Sequence, residues 1–241
     1  VGLAGGGRGM TAGEPVAVVV PAYQAAASVG AVIRGVQQGG WPLLVVDDGS
    51  TDGTGDAARS AGARVVAHEA NRGKGAALRW GIRELLAEPS IEAVVTVDAD
   101  GQHVPEQIPR LVAAWRQGAD MVLGTRQHLF AEMGAVRRLS NRLSTGLISV
   151  AAGHRFRDVQ TGFRLYARPL LESLELRGDR FEAESWIVVR AARRGFRIAE
   201  VPVAMGRVDG RQGSHYRPLV DSLRIGRAVL RAWAASLGER A

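Results

Sequence analysis

From Val16 onward, short apolar runs alternate with longer stretches whose apolar residues recur at helical spacing. Val16–Val20, Leu43–Val46, Arg64–Ala67, the run opening at Ala93 and Asp120–Leu123 read as strands, each followed by a polar or glycine-containing turn. Between them, Val29, Val32, Ile33 and Val36 mark a one-faced helix that Ser28 is expected to cap and Gly39-Gly40 to stop. A second helix ends near Gly62, and a third over Ala76–Ala87 carries Leu78, Ile82, Leu85 and Leu86 on one side. A fourth, opened by Pro105, aligns Ile108, Leu111, Val112 and Trp115. Strands separated by single amphipathic helices are βαβ units, so the prediction is an α/β fold: a mostly parallel central sheet with helices on both faces.

After Arg126 the rhythm changes. Met133–Val150 reads as an amphipathic helix with Val136, Leu139, Leu143 and Leu147 in one stripe and Arg137, Arg138 and Arg142 beside it. A polar loop, Asp158–Arg164, enters another short strand; Phe181–Arg194 reads as a helix and Arg197–Val203 as a strand. Gly206–Tyr216 reads as a loop, and Pro218–Leu237 as a last helix whose apolar residues include Leu219, Leu223, Leu230 and Trp233, with Arg224, Arg227 and Arg231 as a basic stripe. With no repeat and no linker, residues 14–217 are expected to form one domain, 218–241 a C-terminal amphipathic helix, and the Gly-rich residues 1–13 a disordered leader or an expression remnant, with Met10 a natural start.

Composition narrows the partners. Hydrophobic residues make up 46% of the 241, enough for a sizeable core, and the absence of cysteine excludes disulfides and thiolate metal sites. The net charge of +7 points to polyanions: phosphates, nucleic acid or an anionic membrane face. Arginine supplies nearly all of it, because Lys74 is the only lysine, so a genomic bias toward arginine accounts for it equally well. No apolar run reaches the ~18–20 residues of a membrane span.

In open parallel sheets, ligands sit beyond the carboxyl ends of the strands. That edge is where Tyr23, Asp47 and Asp48, Asp98 to Gln102, and Arg126 fall. Asp98, Asp100 and Gln102 alternate, and in an extended chain side chains two apart point the same way. Two carboxylates and an amide oxygen suit Mg²⁺ or Mn²⁺, which completes its shell with water and substrate phosphates. Asp47-Asp48-Gly49-Ser50 can accept hydrogen bonds from a base or ribose, with Ser50 and Asp52 read as turn and cap residues. Asn71-Arg72-Gly73-Lys74-Gly75 resembles a phosphate loop without the Walker A spacing. His103 and His154 stand isolated and read as structural or solvated.

Taken in order, Val20-Pro21-Ala22-Tyr23, Asp47-Asp48-Gly49-Ser50, Asn71-Arg72-Gly73-Lys74-Gly75, Asp98-Ala99-Asp100-Gly101-Gln102-His103, Gly124-Thr125-Arg126 and Asp158-Val159-Gln160-Thr161-Gly162-Phe163-Arg164 resemble glycosyltransferase family 2. The resemblance is closest to its dolichyl- and polyprenyl-phosphate sugar synthases, and Phe181-Glu182-Ala183-Glu184 and Glu200-Val201-Pro202-Val203 fit the same branch. It spans roughly Pro15 to Pro218 and implies the GT-A (nucleotide-diphospho-sugar transferase) fold, Mg²⁺ or Mn²⁺ as cofactor, and inverting transfer of mannose or glucose from a GDP- or UDP-sugar donor to a polyprenyl phosphate acceptor.

Carried over by position, the resemblance implies that Pro21, Tyr23 and Asp48, or its neighbour Asp47, hold the nucleoside, with Lys74 on the donor phosphates. Asp98, Asp100 and Gln102 would surround the metal and diphosphate; Arg126 and Arg137 would meet the acceptor phosphate; Asp158, Gln160 and Glu182 would line the sugar end. Asp100, Arg126, Asp158 and Gln160 are the expected catalytic group. The chain departs from the family pattern at Gln24-Ala25-Ala26-Ala27, where an N-E-x-x-N stretch is common, and at Gly213-Ser214-His215, where a Ser-Lys is usual.

Phosphate chemistry agrees. A phosphate monoester acceptor, with a second pKa of ~6, is mostly anionic near neutral pH and needs positioning by arginines more than a strong base. A hydroxyl acceptor would need a carboxylate base, for which Asp158 and Glu182 are available, and a family 2 transferase acting on a sugar, a sugar nucleotidyltransferase and a basic nucleotide- or nucleic-acid-binding domain are the competing readings. The favoured reading involves no nucleic acid. It places the protein in the cytoplasm, peripheral at the membrane face, held there by its two arginine-flanked helices or by a separate membrane-anchoring subunit.

Overall fold

The computed structural model describes residues 15–126, 135–206 and 218–238, with side chains left out for 135–137 and 218–222. One seven-stranded sheet organises the chain. Its strands are β1 (Val16–Ala22), β2 (Leu43–Asp47), β3 (Arg64–Ala67), β4 (Ala93–Thr96), β5 (Met121–Thr125), β6 (Arg164–Ala167) and β7 (Ile198–Pro202), in the order β3-β2-β1-β4-β6-β5-β7. Only β6 runs antiparallel, pairing Thr96 with Arg164 on one side and Leu123 with Arg164 on the other. Its amino end therefore lies at the edge where the other strands have their carboxyl ends.

The helices are α1 (Val29–Gln38), α2 (Thr54–Ser60), α3 (Lys74–Leu86), α4 (Ile108–Arg116), α5 (Ala135–Ala152), α6 (Arg168–Ser173), α7 (Glu182–Arg193) and α8 (Pro218–Gly238). Strand β1 shows why two layers are needed. Ala17 and Val19 face one core, with Leu78, Ile82 and Leu85 of α3, Ile148 of α5, Ile187 of α7 and Val229 of α8. Val16, Val18 and Val20 face the other, with Val29 and Ile33 of α1, Ala58 of α2 and Leu111 of α4. Period-two alternation on a strand buried on both sides divides the apolar residues between two helical layers.

The predicted α/β layout is observed, with local corrections. Ser28 precedes α1 but does not cap it through its side chain; its hydroxyl donates to the Ala99 carbonyl at 2.7 Å and ties β1's loop to β4's. Lys74 and Gly75, expected in a loop, open α3. A turn of 3-10 helix (Pro105–Gln107) precedes α4, and α6 was not anticipated. The expected loop over Gly206–Tyr216 lies, beyond Gly206, outside the described residues.

Helices α5 and α8 carry two apolar faces each. Ile148 of α5 and Ile225, Val229 and Ala232 of α8 are buried, yet Leu139, Leu143, Leu147 and Val150 of α5 and Leu223, Leu230, Trp233 and Leu237 of α8 are exposed. Among the described residues, no helix is long and apolar enough to cross a membrane.

Candidate active site

The carboxyl edge gathers the polar turns. The Asp98–Gln102 segment is a turn rather than an extended strand, because Gly101 takes φ +78° and the Gln102 amide donates back to Asp100 Oδ1 at 2.9 Å. The alternation argument for convergence is thereby corrected: the turn, not the pleat, sets where Asp98 and Asp100 face. His103, buried and stacked on Phe163 with ring centroids 5.2 Å apart, fixes that turn by accepting the Asp98 amide on Nδ1 at 2.9 Å. Burial, reinforced by Lys74 and the arginines nearby, pushes the imidazole down to about 4 despite Asp98, so it is neutral near pH 7. His154 is exposed beside Phe156.

Asp98 sits against the only lysine. Lys74 Nζ lies 2.7 Å from Asp98 Oδ1 and 3.1 Å from Glu184 Oε2. Burial alone would raise the Asp98 pKa, but the ammonium, with His103 and Arg164 behind it, holds it down to about 2. The same pairing keeps Lys74 protonated, its pKa raised against the effect of burial. Asp100 moves the other way: burial and then the charge of Asp98 raise it. A charged Asp98 that raises the proton affinity of Asp100 marks a place that favours a cation. Among the described residues no group of three His, Asp or Glu side chains forms a metal cage. Asp98, Asp100 and the side-chain oxygen of Gln102 are a donor set that would suit an ion completing its shell with phosphate oxygens, as Mg²⁺ prefers.

The other expected site residues divide into groups at the edge and groups bracing it. Pro21 lies within β1 and Tyr23 follows it, both half-buried. Asp47, at the end of β2, accepts the Ser50 amide at 3.0 Å. Asp48 has both oxygens engaged: Oδ1 takes His68 Nδ1 at 2.7 Å and the Arg72 amide at 2.9 Å, while Oδ2 takes the Gly73 amide at 2.7 Å and Asn71 Nδ2 at 3.0 Å. Two donors per oxygen fill its lone pairs, so Asp48 folds the Asn71–Gly73 loop and thereby aims Lys74.

Arg126 and Asp158 are a buried pair. Asp158 Oδ2 accepts Arg126 N and Nε, each at 3.0 Å, and its Oδ1 accepts Arg126 Nη2 at 3.3 Å and the Gln160 amide at 3.0 Å. Arg126 Nη2 also donates to the Gln160 carbonyl at 2.7 Å. Here both side chains are committed to joining β5 to the loop before β6. Gln160 is half-buried. Arg137 lies in α5, but its side chain is outside the described residues.

Glu182, expected to line the sugar end, and Glu184 make different contacts at the start of α7. Glu182 reaches back to the amides of Asp179 and Arg180 at 3.1 and 3.3 Å, closing the start of α7. Glu184, two residues on, is the carboxylate that enters the site, and its Oε1 is buried without a hydrogen-bond partner, 3.9 Å from Arg164 Nε. Arg164 itself donates to the carbonyls of Thr161, Glu184 and Val159 at 2.7, 2.6 and 2.8 Å and holds the loop before β6. The missed signal was periodicity: Glu184 shares a helical face with Ile187, Val188 and Ala191, a carboxylate on an apolar stripe.

This sheet order, edge and set of turns coincide with a known family. Residues 17–175 match glycosyl transferase family 2. The chain belongs to glycosyltransferase family 2. A dolichyl-phosphate hexose transferase of Haloferax volcanii is 33% identical over 194 residues, covering 79% of this chain and 82% of that protein. An undecaprenyl-phosphate mannosyltransferase of Micrococcus luteus is 34% identical, covering 67% and 70% respectively. Among solved structures, glucosyl-3-phosphoglycerate synthase of Mycobacterium tuberculosis with Mn²⁺, UDP and glucosyl-3-phosphoglycerate superposes with TM-score 0.70 at 25% identity, over 92% of this chain and 80% of that one. Its complex with Mg²⁺ and UDP superposes at 0.69. The fold is thus GT-A, and the chain is a glycosyltransferase.

Proposed function

We propose that this family 2 enzyme transfers a hexose, mannose or glucose, from a GDP- or UDP-sugar to a polyprenyl phosphate at a membrane surface, with inversion at the anomeric carbon. The donor diphosphate lies against Asp98 and Asp100, with Lys74 beside it, and the nucleoside lies toward Pro21, Tyr23 and Asp47. A divalent ion held by Asp98, Asp100 and Gln102 supplies Lewis-acid stabilisation of the departing diphosphate. The acceptor phosphate is already a nucleophile, so the chain's task is to orient it, through Arg137 and through the Arg126–Asp158 brace that fixes the loop carrying Gln160.

One observation carries the lipid acceptor. The exposed stripe Leu139, Leu143, Leu147 and Val150 lies on α5, the helix that leads into the Asp158 loop, and α8 adds Leu223, Leu230, Trp233 and Leu237. Arg142, Arg224, Arg227 and Arg231 are exposed on the same helices. An apolar face with arginines beside it suits the boundary of an anionic bilayer, at ~1 kcal/mol per basic residue. The names of the Haloferax and Micrococcus relatives support the same acceptor class.

The test is incubation with a panel of GDP- and UDP-sugars and polyprenyl phosphate in anionic vesicles with Mg²⁺ or Mn²⁺. The expected outcome is a lipid-linked hexose seen by mass, with the protein sedimenting with the vesicles at low salt. A glycoside formed on a soluble sugar, with no vesicle binding, overturns the lipid acceptor and leaves a family 2 transferase acting on a hydroxyl acceptor.

A further inference from the structure

The single lysine stands where a metal's charge is wanted. Of 31 basic residues, 30 are arginine (31 − 1), and the exception is clamped between two carboxylates at the carboxyl edge. The clamp is built for an ammonium. A Cβ on Gly162 would lie 2.6 Å from both Lys74 Nζ and Asp98 Oδ2, so backbone closes directly over the pair, and a Cβ on Gly75 would meet the Gly178 carbonyl at 2.6 Å. Glu184 fixes the ammonium from behind, and its second oxygen, buried and without a hydrogen-bond partner, lies 3.9 Å from Arg164 Nε.

We infer that Lys74, anchored by Glu184, is a resident competitor for Asp98 that keeps a bare divalent cation out and couples metal entry to the nucleoside diphosphate. This rests on the reading that Asp98 and Asp100 share an ion with the donor. The physical reason is charge. An ion taking Asp98 alone would sit beside an ammonium that Glu184 prevents from leaving. A diphosphate brings the negative charge that offsets the ion and gives the ammonium a new anionic neighbour. The two ligands then raise each other's affinity, and the coupling is reciprocal.

The deciding variant is the double change Lys74→Met with Glu184→Gln. It removes one positive and one negative charge, so the cluster's net charge and its buried-charge balance are preserved, and only the competition for Asp98 is lost. Mn²⁺ binding to the purified protein is followed by the loss of the free-ion electron paramagnetic resonance signal, without and with UDP or GDP. Wild type is expected to bind Mn²⁺ at least about tenfold more tightly with nucleotide than without, about 1.4 kcal/mol of coupling. The double variant is expected to bind bare Mn²⁺ about tenfold more tightly than wild type, with the nucleotide enhancement reduced to about threefold or less. Bare-ion affinity unchanged in a variant that still binds Mn²⁺ with nucleotide overturns the competition alone. Failure of wild type to bind Mn²⁺ under any of these conditions overturns the shared-ion reading as well. Should the double variant not fold, Glu184→Gln alone decides: with its anchor gone the ammonium is free to leave Asp98, bare Mn²⁺ binding is expected to tighten although a negative charge has been removed, and unchanged or weaker binding refutes the idea.

Discussion

Asp158→Asn is the sharpest test of whether the Arg126–Asp158 pair is architecture. Asp158 is fully buried and Arg126 is 5% exposed, and the carboxylate accepts from Arg126 N, Nε and Nη2 and from the Gln160 amide. Asparagine keeps the shape but removes the charge, and it turns an NH₂ toward donors on one side. Breaking a buried ion pair by changing one partner costs ~3–5 kcal/mol, because the other charge stays buried and unpaired. Against a domain stability of ~5–15 kcal/mol, that is roughly a fifth of the total or more. At ~2–4 °C per kcal/mol for a chain of this size, the midpoint should fall by roughly 6–20 °C. Urea unfolding followed by circular dichroism measures it, with the slope unchanged if the transition stays two-state. A loss below ~1 kcal/mol would refute the reasoning. Combined with lost turnover, so small a loss would make Asp158 a group that touches the reactants.

Two further outcomes follow from the geometry. In α3, Gly81→Ala should destabilise, although alanine is the better helix former by ~1 kcal/mol, because the new Cβ would lie 2.4 Å from Val19 Cγ2 and 2.8 Å from Val46 Cγ2, overpacking that costs ~1–3 kcal/mol. Gly146→Ala in α5, with nothing within 4 Å, should instead stabilise, and urea midpoints of the pair give the comparison. His103 titrates near 6.5 when unfolded and near 4 when folded, so the unfolded chain takes up its proton first as pH falls. Stability should therefore drop by up to ~3 kcal/mol between about pH 6.5 and 4, before the Asp98 window below about 4 is reached, and His103→Gln should flatten that slope in unfolding curves.

The sheet was legible because its strands are buried on both faces. Val16–Val20 and Ala93–Thr96 are continuous apolar runs with no helical period, and their turns carry the polar residues that mark the carboxyl edge. The antiparallel direction of β6 was not legible, since Arg164–Ala167 is fully buried like its parallel neighbours and periodicity carries no direction. The site was legible at the level of segments, while the hydrogen bonds of its individual atoms were not. Asp48 follows Asp47 directly, and nothing in the spacing indicates that four donors from residues 68–73 converge on Asp48. Glu184 was not singled out, although a carboxylate on an apolar stripe must find a cation inside, while Glu182, the first carboxylate of the helix, turns back to the amides before it.

The basic composition illustrates the same limit from the other side. A charge of +7 suggested phosphate partners, yet several arginines are committed to backbone carbonyls inside the fold. Arg164 donates to three carbonyls before β6, and Arg168 to those of Ile91, Leu86 and Glu88, joining the start of α6 to the end of α3. Such arginines brace loops whose carbonyls have no strand partner, and they add nothing to the attraction of a ligand outside. Other arginines are exposed, and on α5 and α8 Arg142, Arg224, Arg227 and Arg231 share their helices with exposed leucines. Because Arg142 and Leu143 are adjacent on α5 and Arg231 neighbours Leu230 on α8, the same surface offers both terms that an anionic bilayer uses, charge at long range and apolar area on contact. The company of exposed cations and six exposed leucines, a valine and a tryptophan is what supports the proposed lipid face over a nucleic acid, whose phosphates apolar side chains do not serve.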